Sequence, residues 1–261
     1  MNNDSVTKNV TTLNININDG RIQVVDRVLI KYWDYQNEEI VIPKGVTEVA
    51  KYSISITNAK VLHIPMSVDI IRSHAFLFAW NITKLYIENP DICLEVESLE
   101  ALSNLKEVYI GGQRVETVVT QRSDKKNSVY LEKYVGEDKS YVVDDDITVI
   151  GNKSFSNCTT LESVEIPKSV EHIGTQAFGG CTALKEVNMS DSVNEISMWA
   201  FENCTSIREL TIPKNIEDWR ISSEAFKGWK SNQIIRAPKH LKKLRFKQRW
   251  RKKCRAKIVY Y

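Results

Sequence analysis

The sequence predicts an α/β solenoid, predominantly β, with one short parallel strand per repeat, an N-terminal β-hairpin cap and a C-terminal helical cap. Three observations carry that prediction. Cys158, Cys181 and Cys204 recur every 23 residues inside Asn-Cys-Thr, Gly-Cys-Thr and Asn-Cys-Thr. Phe155, Phe178 and Phe201 keep the same step, as do Leu161, Leu184 and Ile207, then Val164, Val187 and Leu210, then Ile166, Met189 and Ile212. Finally, Leu161-x-x-Val164-x-Ile166-Pro167 alternates apolar and polar residues as a half-buried strand does, and proline ends it for want of an N–H. A fixed period in the low twenties marks a chain whose units bury their apolar sides only against neighbouring units.

Residues 1–26 read as a hairpin cap. Leu13, Ile15 and Ile17 alternate, Asp19-Gly20 turns the chain, and Ile22 and Val24 return. Residues 27–115 form a first repeat block. The Ile166 column continues backward there as Ile110, Ile87, Ile64 and Ile42, and the cysteine column as Leu102, Ala79 and Ile56. Residues 116–146 hold a connecting loop, polar from Thr120 to Ser128, and a second header hairpin. That header, Leu131-Glu132-Lys133-Tyr134, echoes Leu29-Ile30-Lys31-Tyr32 at the start of the first block. Residues 147–236 form the second block, in which Phe226 and Trp229 resume the pattern after a two-residue slip around Trp219 and Arg220. Residues 237–261 form a basic C-terminal cap. The strands are expected to stack into a continuous sheet along one wall.

The phrase Ile-Pro-x-x-Val-x-x-Ile-x-x-x-Ala-Phe-x-x-Cys-x-x-Leu-x-x-Val runs from Ile166 to Val187 and again, with Met189-Ser190 in place of Ile-Pro, from Met189 to Leu210. It resembles the leucine-rich repeats of the BspA-like kind. Ile64-Pro65, Val68, Ile71, Ala75-Phe76 and Leu85 match it in part, with Ala79 where cysteine is usual. The resemblance implies a curved right-handed superhelix and a non-enzymatic recognition role, of the sort associated with adhesion at cell surfaces. It brings no catalytic residues.

Nothing in the chain argues for an enzyme, a metal or a cofactor. The cysteine spacing is far from the short Cys-x-x-Cys bite of zinc sites. Where cysteine is absent from its column, isoleucine, alanine, leucine and Trp229 replace it, so the site reads as an apolar filler. His63, His74, His172 and His240 make no His-x-x-x-His cluster. Asp144-Asp145-Asp146 lacks the spaced oxygens and glycine of a calcium loop and reads as a solvated turn. No stretch approaches the roughly 18 apolar residues that span a bilayer. Met1-Asn2-Asn3-Asp4-Ser5 has neither a basic nor an apolar leader region, which predicts a cytoplasmic protein.

Two surfaces are candidates for binding. Outward strand positions form one row, Val41, His63, Tyr86 and Tyr109, continued by Glu165, Asn188 and Thr211. A second row is Glu39, Val61, Lys84 and Glu107, continued by Ser163, Glu186 and Glu209. His63, Lys84, Tyr86 and Tyr109 are therefore expected to hold a protein or peptide, outward tyrosines being typical of hot spots. The bland alternative is cross-strand stacking that merely stabilises the sheet. The other surface is the C-terminus. The net charge of +3 conceals a body with excess acid and a tail in which Lys242, Lys243, Arg245, Lys247, Arg249, Arg251, Lys252 and Lys253 meet no acidic residue. That segment suits nucleic acid or an anionic membrane surface. It equally suits a solvated cap, and the whole protein a structural spacer.

Overall fold

A computed structural model describes residues 15–17, 21–55, 57–121, 128–242, 250 and 254–261. Each turn of the solenoid crosses two walls. The longer strands Glu39–Val41, Val61–Ile64, Lys84–Ile87 and Glu107–Ile110 stack parallel and in register, and Gln113–Val115 folds back antiparallel on the last. The opposite wall is built from two-residue strands, Glu48–Val49, Ile70–Ile71 and Cys93–Leu94, laid on Val28–Tyr32. The second block repeats the plan. Ser140–Val142, Ser163–Ile166 and Glu186–Met189 form one wall. Val129–Tyr134, Val149–Ile150, His172–Ile173 and Glu195–Ile196 form the other.

The sheet is not continuous along its wall, contrary to the sequence expectation. It breaks between Gln113–Val115 and Ser140–Val142, and no ladder joins Glu186–Met189 to Glu209–Thr211. At the second break two glutamates, Glu186 and Glu209, occupy equivalent rungs, and like charges placed opposite each other weaken a pair. Glu209 turns instead to an ion pair with Arg236. Helix is scarce as well. Among the described residues there is one four-residue helix, Lys239–Lys242, and a 3-10 turn, Asp218–Arg220.

The N-terminal hairpin forms, whereas neither header closes on the strand that follows it. Ile15–Ile17 pairs antiparallel with Ile22–Val25, which pairs antiparallel with Val28–Tyr32. Thr117–Gln121 likewise precedes Val129–Tyr134. Each header strand is thus paired with the strand before it, not with the one after. Thr120 and Gln121 belong to a strand where a loop was expected, and residues 122–127 lie outside the described residues.

The prolines act where the pattern put them. After each long strand, the carbonyls of Pro43, Pro65 and Pro167 accept the N–H of Val46, Val68 and Val170, closing a tight turn into the next wall. In the second block the core is an aromatic spine. Tyr134, Phe155, Phe178, Phe201 and Phe226 follow one another at ring separations of 5.1, 4.9, 5.3 and 6.0 Å. Buried Trp250 closes its open end, edge-on to Phe226 at 6.0 Å, with its indole N–H on Asp218 at 3.0 Å. The two-residue slip makes the 3-10 turn that buries Asp218 beneath Trp250 and leaves Trp219 71% exposed.

Asn157, Gly180, Asn203 and Gly228 occupy one corner column, all with positive φ, between 56° and 85°. The alternation has a steric cause. A Cβ on Gly180 would stand 2.4 Å from Oδ1 of Asn157, and one on Gly228 2.1 Å from Oδ1 of Asn203. Each asparagine amide therefore requires a glycine on the turn above it.

The seam between blocks rests on Glu132, which is buried. In a regular turn the backbone N–H groups of this corner bond to the next turn, as Lys153 does to Thr175 and Phe155 to Ala177. At the seam no such carbonyls are supplied to Glu97 and Leu99. The Glu132 carboxylate takes both N–H groups instead, at 3.0 and 3.1 Å. Beside it, buried Lys133 donates to the Lys153 carbonyl at 3.2 Å, and desolvation pushes its amine down to about 8.

Two predictions follow from these contacts. Gly180→Ala should lower stability in urea unfolding by about 1–3 kcal/mol, because it combines backbone strain with the amide clash. Burial, reinforced by Glu97 and Glu100, raises Glu132 from 4.5 to about 7. A raised carboxyl contributes stability below its unfolded value that is lost as pH climbs through the folded one. Wild type minus Glu132→Gln should therefore show a fall on the order of 3 kcal/mol between pH 4.5 and 7, flat on either side. Parallel curves for the two proteins would contradict this account of the seam.

Candidate recognition site on the sheet face

Alternation along Val61–Ile64, Lys84–Ile87 and Glu107–Ile110 sends Leu62, Leu85 and Val108 into the core and leaves His63, Tyr86 and Tyr109 half-buried on the outer face. Register places these three directly opposite one another. The rings stack at 4.7 Å from His63 to Tyr86 and at 4.7 Å from Tyr86 to Tyr109, with planes 7° and 14° apart. Rings lying side by side in the plane of the sheet could not come so close, so they face one another along the solenoid axis. Their edges and hydroxyls point outward.

A polar row flanks the stack. Glu39 meets His63 Nε2 at 2.7 Å, and Lys84 meets Glu107 at 2.9 Å. Tyr109 donates its hydroxyl to Glu107 at 3.0 Å. Its hydrogen bonds from Lys84 first, then Tyr109, hold the Glu107 carboxyl below its ordinary range. The same contacts raise the Lys84 ammonium and the Tyr109 phenol. The Tyr86 hydroxyl has no protein partner among the described residues, and Val41 at the end of the row is 53% exposed. All four residues singled out from sequence are thus brought together. The matching rows of the second block carry no aromatic ring: one runs from the exposed Val142 to Glu165 and Asn188, and in the other Ser163 bonds to Ser140 at 2.8 Å.

Of the basic C-terminal residues, Lys242 is described, with its ammonium 5.8 Å from the Tyr260 ring. Lys243, Arg245, Lys247, Arg249, Arg251, Lys252 and Lys253 lie outside the described residues. The final strand Lys257–Tyr260 pairs parallel with Ile234–Ala237, and the Tyr261 hydroxyl reaches the Ile212 carbonyl at 2.7 Å.

The cysteine column does more than fill space. Cys181 donates its thiol to the Phe155 carbonyl at 3.0 Å, and Cys204 to that of Phe178 at 3.1 Å. Trp229, next in the column, donates its indole N–H to the Phe201 carbonyl at 2.8 Å. The donor bonds belong to the second block, since Ala79 and Leu102 hold the same column in the first as plain buried apolar residues. Burial raises Cys204 to about 12 and Cys181 well above the ordinary thiol. One group escaped the search for sequence-local histidine pairs. His74 and Glu97 stand one repeat apart, and their side chains meet at 3.2 Å, with Glu100 3.8 Å from the other ring nitrogen. Lys153 and Asn152 already engage the two carboxylates.

The family model for the BspA type leucine rich repeat region matches in 6 copies, over residues 31–121 and 134–248. The chain belongs to the BspA-type leucine-rich repeat family. Among solved structures, this BspA-type chain is similar to a leucine rich cell surface protein from Faecalibacterium prausnitzii, at 23% identity and a TM-score of 0.64. The match covers 85% of this chain and 59% of that one, so the chain spans little more than half of that protein's solved length. A leucine-rich repeat protein from Bacteroides capillosus is similar at 25% identity, over 45% of this chain and 88% of that one, with a TM-score of 0.38. The pneumococcal vaccine antigen PcpA is similar at 14% identity, over 88% and 83%, with a TM-score of 0.48. No curated protein matches. The expected cytoplasmic compartment is corrected here: it conflicts with membership of the BspA-type family and with a structural neighbour described as a cell surface protein. Among the described residues, no helix is long and apolar enough to cross a membrane.

The thiols offer a direct check of the core geometry. With a maleimide at neutral pH, the exposed Cys93 should label within minutes in the folded protein, whereas Cys181 and Cys204 should label only after denaturation. Fast labelling of either buried thiol in the native state would contradict the carbonyl-bonded column.

Proposed function

We propose that the protein is a non-catalytic recognition module that holds a protein or peptide partner on the sheet face of its first block, through His63, Lys84, Tyr86 and Tyr109. The observation that carries this reading is the in-register stack of His63, Tyr86 and Tyr109, half-exposed on adjacent strands. The stack fixes the tyrosines before any partner arrives, so little side-chain entropy remains to be lost on binding. It presents one free hydroxyl, on Tyr86, between an exposed aliphatic residue, Val41, and the charged pair Lys84–Glu107. Membership of a repeat family often involved in protein interaction supports the same reading. In this organisation the first block, residues 27–115, carries the site, and the second, residues 147–236, extends the scaffold. The competing reading, nucleic acid or an anionic surface at the basic C-terminus, gains no support from the comparisons.

Converting Tyr86 and Tyr109 together to alanine should weaken partner capture roughly thirtyfold, the equivalent of a ~2 kcal/mol hot spot. The same change removes about 1–3 kcal/mol of ring stacking from the fold, so the variant should remain folded. Unchanged capture by the folded double variant, measured by quantitative pull-down with surface and secreted proteins of the native organism, would sink the proposal.

A further inference from the structure

A second surface, on the edge of the first block where each turn passes from the short-strand wall to the long-strand wall, is not explained by the sheet-face site. Four large aromatic side chains are exposed there in two pairs. Trp33 and Tyr35 lie 6.0 Å apart, and Phe78 and Trp80 5.5 Å apart edge to face. Their exposures run from 36% to 48%, where the fold buries Phe76, Phe155, Phe178, Phe201 and Phe226. The pairs sit two turns apart. Asn58 donates to the Tyr35 carbonyl, Asn81 to that of Thr57 and Asn104 to that of Trp80, which puts Tyr35, Thr57 and Trp80 in one column. The edge therefore reads aromatic, small, aromatic along the axis, at twice the strand spacing of about 4.8 Å.

Phe78 has a φ of 56° in a column whose other left-handed members are Asn157, Gly180, Asn203 and Gly228. A bulky residue in that conformation costs of order 1–3 kcal/mol; the solenoid carries Tyr52, His74 and Trp199 in it at another corner, but in the Phe78 column the other such residues are asparagine or glycine. Packing does not select for Phe78, since the side chain is 48% exposed. Beside the aromatic pairs runs a groove of about 470 Å³ lined by Asn58, Asn81, Asn104, Lys60, Thr83 and Lys106. Each asparagine uses one amide N–H on the preceding turn. Its Oδ1 and second N–H remain to face the groove, repeated at the strand spacing. No carboxylate lines the groove, and its charges are both ammoniums. Lys60 lies 2.9 Å from Glu38, and Lys106 has no ion-pair partner among the described residues.

We propose that this edge binds an acidic oligosaccharide, with sugar rings seated against Phe78 and Trp80 and hydroxyls read by Asn58, Asn81 and Asn104. A pyranose ring has an apolar C–H face that packs on an aromatic ring and a rim of hydroxyls that both donate and accept. Exposed aromatics beside repeated amides meet both needs at once. A linear glycan also advances per sugar by a length comparable to one rung of the solenoid, so successive sugars meet equivalent amides. Lys106, without an ion-pair partner among the described residues, supplies the preference for a carboxylate- or sulfate-bearing chain. A peptide would use such amides for its backbone, but nothing on this edge offers a free strand to pair with it.

The test titrates the full chain with a glucuronate-containing tetrasaccharide and, separately, with neutral chitotetraose, followed by calorimetry and tryptophan fluorescence. The acidic sugar should bind at least about tenfold more tightly than the neutral one, a preference that Lys106→Gln should reduce. Trp80→Ala should weaken binding about tenfold or more. Phe78→Asn, which installs the residue that column otherwise uses, should weaken binding to a similar extent while holding or raising the melting temperature. Tyr86→Ala/Tyr109→Ala should leave sugar binding intact, which separates this site from the sheet face. No binding of the acidic tetrasaccharide at millimolar concentration, or equal affinity in wild type, Trp80→Ala and folded Phe78→Asn, would overturn the proposal.

Discussion

Every turn of this solenoid is held by the carbonyls of its neighbours. The Phe155 carbonyl accepts the N–H of Cys158 within its own turn and the thiol of Cys181 from the next, and Phe178 is used again by Cys204 in the same way. Backbone N–H groups run in the opposite sense, from Phe155 to Ala177 and from Phe178 to Ala200. A buried carbonyl or N–H left without a partner costs about as much as a lost hydrogen bond. The period of the sequence is therefore tied to this exchange, although the first turn keeps its register, with Glu39 opposite Val61 and Ile40 opposite Leu62, one residue short of the 23-residue step. Where the spacing does slip, at Trp219 and Arg220, the surplus is pushed out as a 3-10 turn and the ladder recovers at Phe226 and Trp229.

The same constraint explains what happens at the interruptions. An array with no closing symmetry must satisfy its last carbonyls and N–H groups by other means. At the N-terminal end an antiparallel hairpin does so, and at the C-terminal end Trp250 and the strand Lys257–Tyr260 do. In the middle the chain uses a side chain, Glu132, as a substitute for two missing carbonyls. Burying that carboxylate is expensive, and its two N–H bonds offset part of the cost.

Much of this was legible in sequence because columns can be read without coordinates. The strands, the proline turns, the phenylalanine spine and the outward row of His63, Tyr86 and Tyr109 all follow from one interval and one alternation. Other features were not legible, for physical reasons. The outward row already set Glu186 beside Glu209, but that their strands fail to pair appears only in the sheet topology. Ile30 and Glu132 look like a loose correspondence between headers until the second header is seen to lie buried against the first block. The cysteine column reads as an apolar filler and is buried as one, but the thiol bonds of Cys181 and Cys204 to the preceding turn's carbonyls are invisible without coordinates. The Asn/Gly alternation was in plain view, yet its meaning depends on a side chain reaching over the next turn's glycine.

The two blocks divide the work of the fold unequally. The second keeps a stacked aromatic spine and gives the left-handed corner just before its cysteines to asparagine and glycine, while a second left-handed corner holds Lys153, Gln176 and Trp199. The first has no such spine. It places aromatics on the outside, three stacked on the sheet face and four along the edge, and tolerates Phe78 in a conformation better suited to asparagine. Departures from a repeat's best residue are expected where something other than packing selects the side chain. In a solenoid such a departure is affordable, because each turn is braced by the turns on either side and strain at one corner is not passed along the array. The exposed rings of the first block are thus held by the turns on either side of them, as Tyr86 is between His63 and Tyr109.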